Sequence, residues 1–324
     1  MLSSLDGNER VVDLIVRRIM SLDASSFNKY AKGSIGTETR GKTAPNRLRR
    51  VDNFVTMYCA QLIMSADDFY ADVGYGRSPM TTLESARRFR RYNAQLPVLG
   101  IEIDSRRVRE AQQFDDQLTH FRQGGFNLPL QTNTVTGRRE TVNLIRAFNV
   151  LRQYELESDC RDAHVLLSAY LNVRGLLIEG TSDPFGRIWT ANVIRKQADH
   201  SLAIEALVFS TNFRDGFDVA AFQHVLPKNF IHRMTGANEM IFNFFEDWKV
   251  SHEQAGKAMK QTFGAGIRQQ FAVTAQYLAE TYKYNIITEK KYLNRGFLVW
   301  LLQEGTKGVD AQQITYRSRG QKRK

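Results

Sequence analysis

Phe69-Tyr70-Ala71-Asp72-Val73-Gly74-Tyr75-Gly76-Arg77-Ser78-Pro79 decides how this chain is read. The apolar run that ends in an acid and a glycine turn predicts a short buried strand leading into a tight loop. Leu83, Ala86 and Phe89 then recur at helical spacing, with Thr81 or Thr82 placed to cap the helix. One helix length later comes a second apolar strand, Val98-Leu99-Gly100-Ile101-Glu102-Ile103-Asp104, which also ends in acid. Strand, glycine loop, helix and strand make the opening of an α/β sheet that holds a nucleotide-like ligand. Glycine lets backbone approach the ligand closely because no Cβ intervenes. A carboxylate ending the second strand can take both hydroxyls of a ribose.

Two ligands suit this layout. A dinucleotide fold wants G-x-G-x-x-G with the pyrophosphate on the helix N-terminus. Here the third glycine is missing and Pro79 stands in its place. Asp72, just before the first glycine, suits a ligand with a cationic end better than a diphosphate. The D-x-G-x-G pattern, followed by G-x-E-x-D at Gly100–Asp104, resembles class I S-adenosylmethionine-dependent methyltransferases. The resemblance implies that Asp72, Gly74, Tyr75 and Gly76 line the cofactor loop and that Glu102, with Ile103, takes the ribose. It also implies that the loop at Gly125 and Phe126 packs on the adenine. The family often carries an acid there, and Gly124-Gly125 departs from it. Phe126 is either a stacking partner for the base or a core phenylalanine.

At 324 residues and 42% hydrophobic content the chain supports a full core. No run reaches the length of a membrane span, and the first residues lack a charged-then-apolar signal pattern. Cys59 and Cys160 lie in apolar-periodic stretches, which argues against a disulfide framework or a cysteine metal site and fits the cytoplasm. His224 and His232 are eight apart with Pro227 between them, so no metal site is expected there. The net charge of +11 suggests an acidic partner, nucleic acid first. Arg47, Arg49 and Arg50 crowd a helix start, the wrong end for the helix dipole, and the chain closes on a basic tail. These motivate RNA as a partner; salt bridges to nearby acids and a solvated tail are the plainer readings.

In chain order, residues 8–22 read as a helix, and residues 30–46 as a Gly-, Thr- and Lys-rich loop. Inside that loop Gly36-Thr37-Glu38-Thr39-Arg40-Gly41-Lys42-Thr43 matches the P-loop pattern in full. A P-loop needs a buried strand directly before it, and Ser25–Lys32 is not one, so the segment reads as a basic surface loop. Residues 46–64 read as one helix and 105–114 as another; 118–126 read as a third strand and turn. Val142–Tyr154 reads as a fourth strand running into a polar loop, where Arg146, Asn149, Arg152 and Tyr154 stand ready to hold an acceptor. Alternatively, Arg152 and Tyr154 already belong to the next helix. After a helix over 158–172, the strand Arg174–Asp183 brings Glu179 and Asp183 as candidate bases. Residues 186–194 and 202–209 suggest an antiparallel hairpin, 214–283 a helical lid or substrate platform, and 285–288 and 296–301 two closing strands.

Taken with Arg146–Tyr154, Glu179–Asp183 and Leu226–Arg233, the two glycine-loop motifs resemble a mostly actinobacterial group of methyltransferase-like proteins. That resemblance covers most of residues 45–300. It implies an α/β, Rossmann-like class I methyltransferase fold: a seven-stranded, mostly parallel sheet with the last strand antiparallel. The expected organisation is an N-terminal helical extension and basic loop (1–45), a cofactor-binding core (46–213), a helical insertion (214–283), closing strands (284–304) and a basic tail (305–324). It implies S-adenosyl-L-methionine as cofactor and an in-line methyl transfer, with Arg146, Asn149, Glu179 and Asp183 as the catalytic candidates. The acceptor stays open, with RNA leading. A small-molecule methyltransferase and a non-catalytic nucleic-acid-binding protein on the same fold are the alternatives. A nucleotide hydrolase built on the P-loop match ranks last.

Overall fold

The computed structural model describes residues 33–64, 67–132, 134, 137–259, 266–302 and 315–316. The helix expected over 8–22 and most of the basic tail lie outside them. An extended segment over 33–43 leads into α1 (Arg49–Tyr58) and α2 (Ala60–Met64). The single helix expected over 46–64 breaks at Cys59, whose φ of −142° leaves the helical region while its N–H still donates to the Val55 carbonyl.

β1 (Phe69–Val73) and β2 (Val98–Glu102) are buried at every position, which explains their unbroken apolar character. Between them runs α3 (Met80–Phe89). Its first turn carries no side-chain cap, because Thr82 donates its hydroxyl to Asp72 instead. α4 (Ser105–Ala111) starts on Asp104, whose carboxylate accepts from the Arg106 N–H. β3 (Thr119–Gln123), β4 (Val142–Phe148), α5 (Glu157–Ala169) and β5 (Leu171–Ser182) follow. Then come β6 (Ile188–Lys196), β7 (Leu202–Thr211), α6 (Lys228–Ile231), α7 (Met240–Met259), α8 (Ile267–Glu280), α9 (Lys290–Leu293), β8 (Phe297–Leu301) and β9 (Thr315–Tyr316).

These strands form one nine-stranded sheet in the order β3-β2-β1-β4-β5-β6-β7-β8, with β9 paired to β7. From β3 to β5 every pairing is parallel; from β5 to β8 every pairing is antiparallel. This corrects the seven-stranded sheet with one antiparallel strand. A parallel return after β5 needs a crossover helix, and residues 183–187 are too short to hold one, so β6 folds straight back. The hairpin expectation at 186–209 stands. The closing strand expected at 285–288 reduces to a single bridge between Ile286 and Trp300.

Helices cover both faces of the sheet. Tyr70, Val98, Leu144, Leu176 and Ile178 pack against Val51, Phe54, Ile63 and Phe89 from α1, α2 and α3. Ala71, Leu99, Ile145, Leu177 and Phe209 face the other way, against Leu166, Phe244, Trp248 and Phe271 from α5, α7 and α8. The described residues of 214–283 therefore roof one face of the sheet. No helix among the described residues is long and apolar enough to cross a membrane.

Candidate functional site

The connections from β1 lead one way, to β2 and β3, and β4 and β5 continue the other way. The crevice at the carboxyl ends of β1 and β4 is where an open α/β sheet offers a ligand site. A cavity of about 320 Å³ opens there. Gly74, Tyr75 and Gly76 line it from the loop after β1, and Phe148, Asn149, Arg152 and Gln153 from the end of β4. Ser182 and Pro184 follow β5, and Thr39–Thr43 with Arg47 close it from the N-terminal side.

Gly74 and Gly76 adopt φ of 72° and 84°, which a side chain would strain. The space that these glycines clear is filled by the chain itself. A Cβ on Gly76 would stand 3.1 Å from the Gly41 backbone, and one on Gly125 would stand 2.0 Å from the Ile35 carbonyl oxygen. The segment 34–41 is pinned along its length. The Phe126 N–H donates to the Ile35 carbonyl (2.7 Å), and the Ile35 N–H to Asn127 Oδ1 (2.7 Å). The Thr37 N–H donates to the Tyr154 hydroxyl (2.7 Å), and Gln153 Nε2 to the Thr37 carbonyl (2.8 Å). Arg107 binds the Thr39 carbonyl and the Glu38 carboxylate, and the Arg77 N–H reaches the Gly41 carbonyl. The full P-loop match is thus part of the site rather than a bland surface loop. Residues 33–35, the described residues directly before it, form no strand, and it lies across another glycine loop.

The two acids singled out from the sequence are both buried and both engaged. Asp72 takes Arg146 Nε (3.0 Å) and Nη2 (2.7 Å) and the Thr82 hydroxyl (2.6 Å). Arg146 extends from there to Asp52 (2.7 Å) and Ser85 (2.6 Å), and Asp52 also holds Arg88. Burial alone lowers the Arg146 pKa, but Asp72, Tyr70 and Asp52 outweigh it and raise the pKa, so the guanidinium stays charged. Glu102 accepts from the Gly76 N–H (2.9 Å) and the Ile103 N–H (3.0 Å) and faces Arg107 at 3.5 Å. Burial pushes its carboxyl above the usual range, and those N–H groups and Arg107 partly offset it.

Of the catalytic candidates, Asn149 alone lines the cavity. Its backbone sits at φ 62°, with Oδ1 accepting the Ser182 N–H and Nδ2 donating to the Ser182 hydroxyl. Three corrections follow. Arg146 points to the sheet face covered by α3, because its position on β4 pairs with Asp72 on β1. Glu179 turns to the opposite interior, where Asn192 Nδ2 donates to it (2.8 Å) and His164 lies 3.3 Å away. Asp183 caps its own turn, taking the N–H groups of Arg187 and Ile188. Among the cofactor candidates, Asp72, Gly74, Tyr75 and Gly76 line the cavity. Glu102, Ile103, Gly125 and Phe126 lie under the segment 35–41, and Phe126 packs on Tyr154 at 5.7 Å. Residues 214–283 contribute nothing described to the cavity lining, so the cover expected from them comes instead from 39–43.

Nor do the helix-start arginines reach outward as a set. Arg47 donates to Ser182 Oγ and to the carbonyls of Ser182, Asp183 and Lys42. Arg50 donates to Ser210 Oγ and the Arg295 carbonyl and lies over the Phe297 ring. Uncharged oxygen atoms of the protein are the described hydrogen-bond partners of Arg47 and Arg50; of the three, Arg49 alone is exposed. The residues that sequence reasoning missed are Asp52, Thr82 and the segment 34–41. Lone charges inside apolar runs, at positions 72 and 146, are the signal that could have pointed to a buried ion pair.

The resemblance implies an adenosyl cofactor in this crevice. That cofactor needs Glu102 open for ribose hydroxyls, Asp72 open toward the methionine end, and free surface over Gly125 and Phe126. In this arrangement Arg146 holds the first-loop acid, Gly76 and Arg107 hold Glu102, and Ile35 covers Gly125. The cradle does not accommodate the adenosyl group while residues 34–41 lie in it.

No protein-family model matches the chain, and no curated protein matches it. Solved structures resemble parts of it. The StiE O-MT region is 16% identical over 42% of this chain and 43% of that one, with a TM-score of 0.30. A SAM-dependent methyltransferase from Methanosarcina mazei is 16% identical over 36% of this chain and 54% of that one, with a TM-score of 0.28. The N-methyltransferase NodS from Bradyrhizobium japonicum is 16% identical over 42% of this chain and 68% of that one, with a TM-score of 0.30. The chain spans about half the length of the first two. The finer resemblance to a mostly actinobacterial group finds no support among them.

Proposed function

We propose that the chain is an S-adenosylmethionine-dependent methyltransferase whose cofactor enters only when residues 34–41 leave the cradle. One observation carries the reading. The Gly76 N–H meets the Glu102 carboxylate at 2.9 Å, so loop and acid, 26 residues apart, share one corner beside the point where the sheet changes direction. A carboxylate beside a glycine loop at that crevice is the arrangement that takes ribose hydroxyls once the cradle is open. This chain's own residues pair Asp72 with Arg146 and present Asn149 at the far wall. S-adenosylmethionine supplies the methyl group when bound; no step of the transfer is read from the closed cradle.

Calorimetric titration of S-adenosylmethionine into the full chain tests this, beside Glu102→Ala and Tyr154→Phe. Binding to the wild type, loss in Glu102→Ala and tighter binding in Tyr154→Phe are expected. The second variant removes the acceptor that pins the Thr37 N–H. Absence of binding in both the wild type and folded Tyr154→Phe would sink the reading and leave a binding protein on this fold.

A further inference from the structure

With 34–41 across the adenosyl half, the cavity that remains has a one-sided charge. Arg40, Lys42, Arg47 and Arg152 line it, and among the described residues the only acid in its wall is Asp72. That acid is spent on Arg146 and Thr82. Arg40, Lys42 and Arg152 are exposed and make no ion pair among the described residues. Arg47 is fixed by uncharged oxygens, which orient it without neutralising it. Burial lowers the Arg47 pKa, the nearby Asp183 carboxylate partly offsets this, and Arg152 lowers it further. Like charges converging on one partly enclosed space repel unless an anion joins them.

The other basic hollow of the surface shows the contrast. Around Arg49, Arg87, Arg88 and Arg91 the acids Asp52 and Glu84 are present, and both pair with Arg88. There two acids lie among the arginines and pair with one of them, Arg88; in the switch-point cavity no lining acid pairs with Arg40, Lys42 or Arg152 among the described residues. The floor of that cavity adds polar groups. The Ser182 hydroxyl accepts from Arg47 and Asn149 and donates to no described group, so its proton is available to a ligand oxygen.

We propose that this cavity binds the oxyanion group of a small molecule, a phosphate or carboxylate, between Arg40, Lys42 and Arg152 over the Asn149–Ser182 floor. The volume of about 320 Å³ lies at the small end of ligand pockets and excludes a folded polymer from its interior. Arg40 belongs to the segment that leaves in the reading above, so on that reading the anion and the cofactor exclude one another; the anion site itself does not rest on that reading.

The test titrates pyrophosphate and malonate separately into the full-length chain at low salt, by calorimetry, in the wild type, Lys42→Gln, Arg152→Gln and Arg91→Gln. One-site binding of at least one probe is expected. Each cavity variant should weaken it about tenfold or more, as loss of a charge-assisted hydrogen bond does. Arg91→Gln, outside the cavity, should leave it unchanged. Preference for pyrophosphate assigns a phosphoryl ligand, and preference for malonate a carboxylate. No binding of either probe, or equal weakening in Arg91→Gln, overturns the proposal. S-adenosylmethionine is titrated in parallel. Anion binding with no cofactor binding in either the wild type or folded Tyr154→Phe would end the methyltransferase reading and leave the anion site standing; the reverse would do the opposite.

Discussion

The two halves of the sheet are built from different materials. From β3 to β5 the strands are parallel, and charged groups are buried among them: Asp72, Glu102, Arg146 and Glu179. From β6 to β8 the pairing is antiparallel and the interior is aromatic. Phe244 stacks on Trp300 at 4.2 Å and on Phe209 at 5.4 Å, with Phe222, Phe245 and Trp248 close by. Buried charge is costly unless paired, whereas aromatic packing stabilises without any partner chemistry. The parallel half therefore keeps its charges where a ligand or an internal ion pair can use them, and the antiparallel half holds the fold.

The sharpest way to break that contrast is Arg146→Met. It leaves Asp52 and Asp72 buried without their shared cation, and a loss of about 3–5 kcal/mol in urea unfolding is expected. A loss below about 1 kcal/mol would show that the cluster relaxes or neutralises freely. In the other half Phe244→Ala should cost about 3–4 kcal/mol through the cavity it leaves. Anion affinity should hold in the folded fraction; if it falls, the halves are coupled and the contrast fails.

Lys196, on β6, probes the border. Its ammonium donates to the Ala169 and Leu171 carbonyls, and burial lowers its pKa to about 8. The folded pKa lies below the unfolded one, so the unfolded chain binds more protons between them. Stability is thus expected to rise as pH climbs from about 8 toward 10, by about 2 kcal/mol. Lys196→Met should flatten that rise, and an unchanged slope would assign it to other groups. The smallest effect belongs to Tyr154→Phe, which removes one partner of the Thr37 N–H at a cost of about 1 kcal/mol. Faster amide exchange confined to residues 34–41 is the expected readout; exchange spread through the sheet would mean that the segment is part of the core.

Much of the parallel half was legible before any coordinates. The runs at 69–73 and 98–102 are apolar throughout because both faces are covered, and Gly74 and Gly76 mark a loop that needs positive φ. The antiparallel hairpin was legible too, from two β-rich runs around a polar turn. The partner of each buried acid was not. Asp72 and Arg146 meet only because β1 and β4 pair in a register that sets them side by side, across 74 residues of sequence. Glu179 reads as a cleft acid, yet strand alternation turns it toward His164 and Asn192.

The sequence by itself determined the strand–glycine loop–helix–strand opening, because burial, helical spacing and backbone freedom are local properties. Tertiary structure alone decided what occupies the cradle. Gly36, Gly76 and Gly125 are equally consistent with room for a ligand and with room for the chain's own backbone. Only the docking of residues 34–41 on Phe126, Tyr154 and Arg107 chooses the second and leaves the basic cavity beside it.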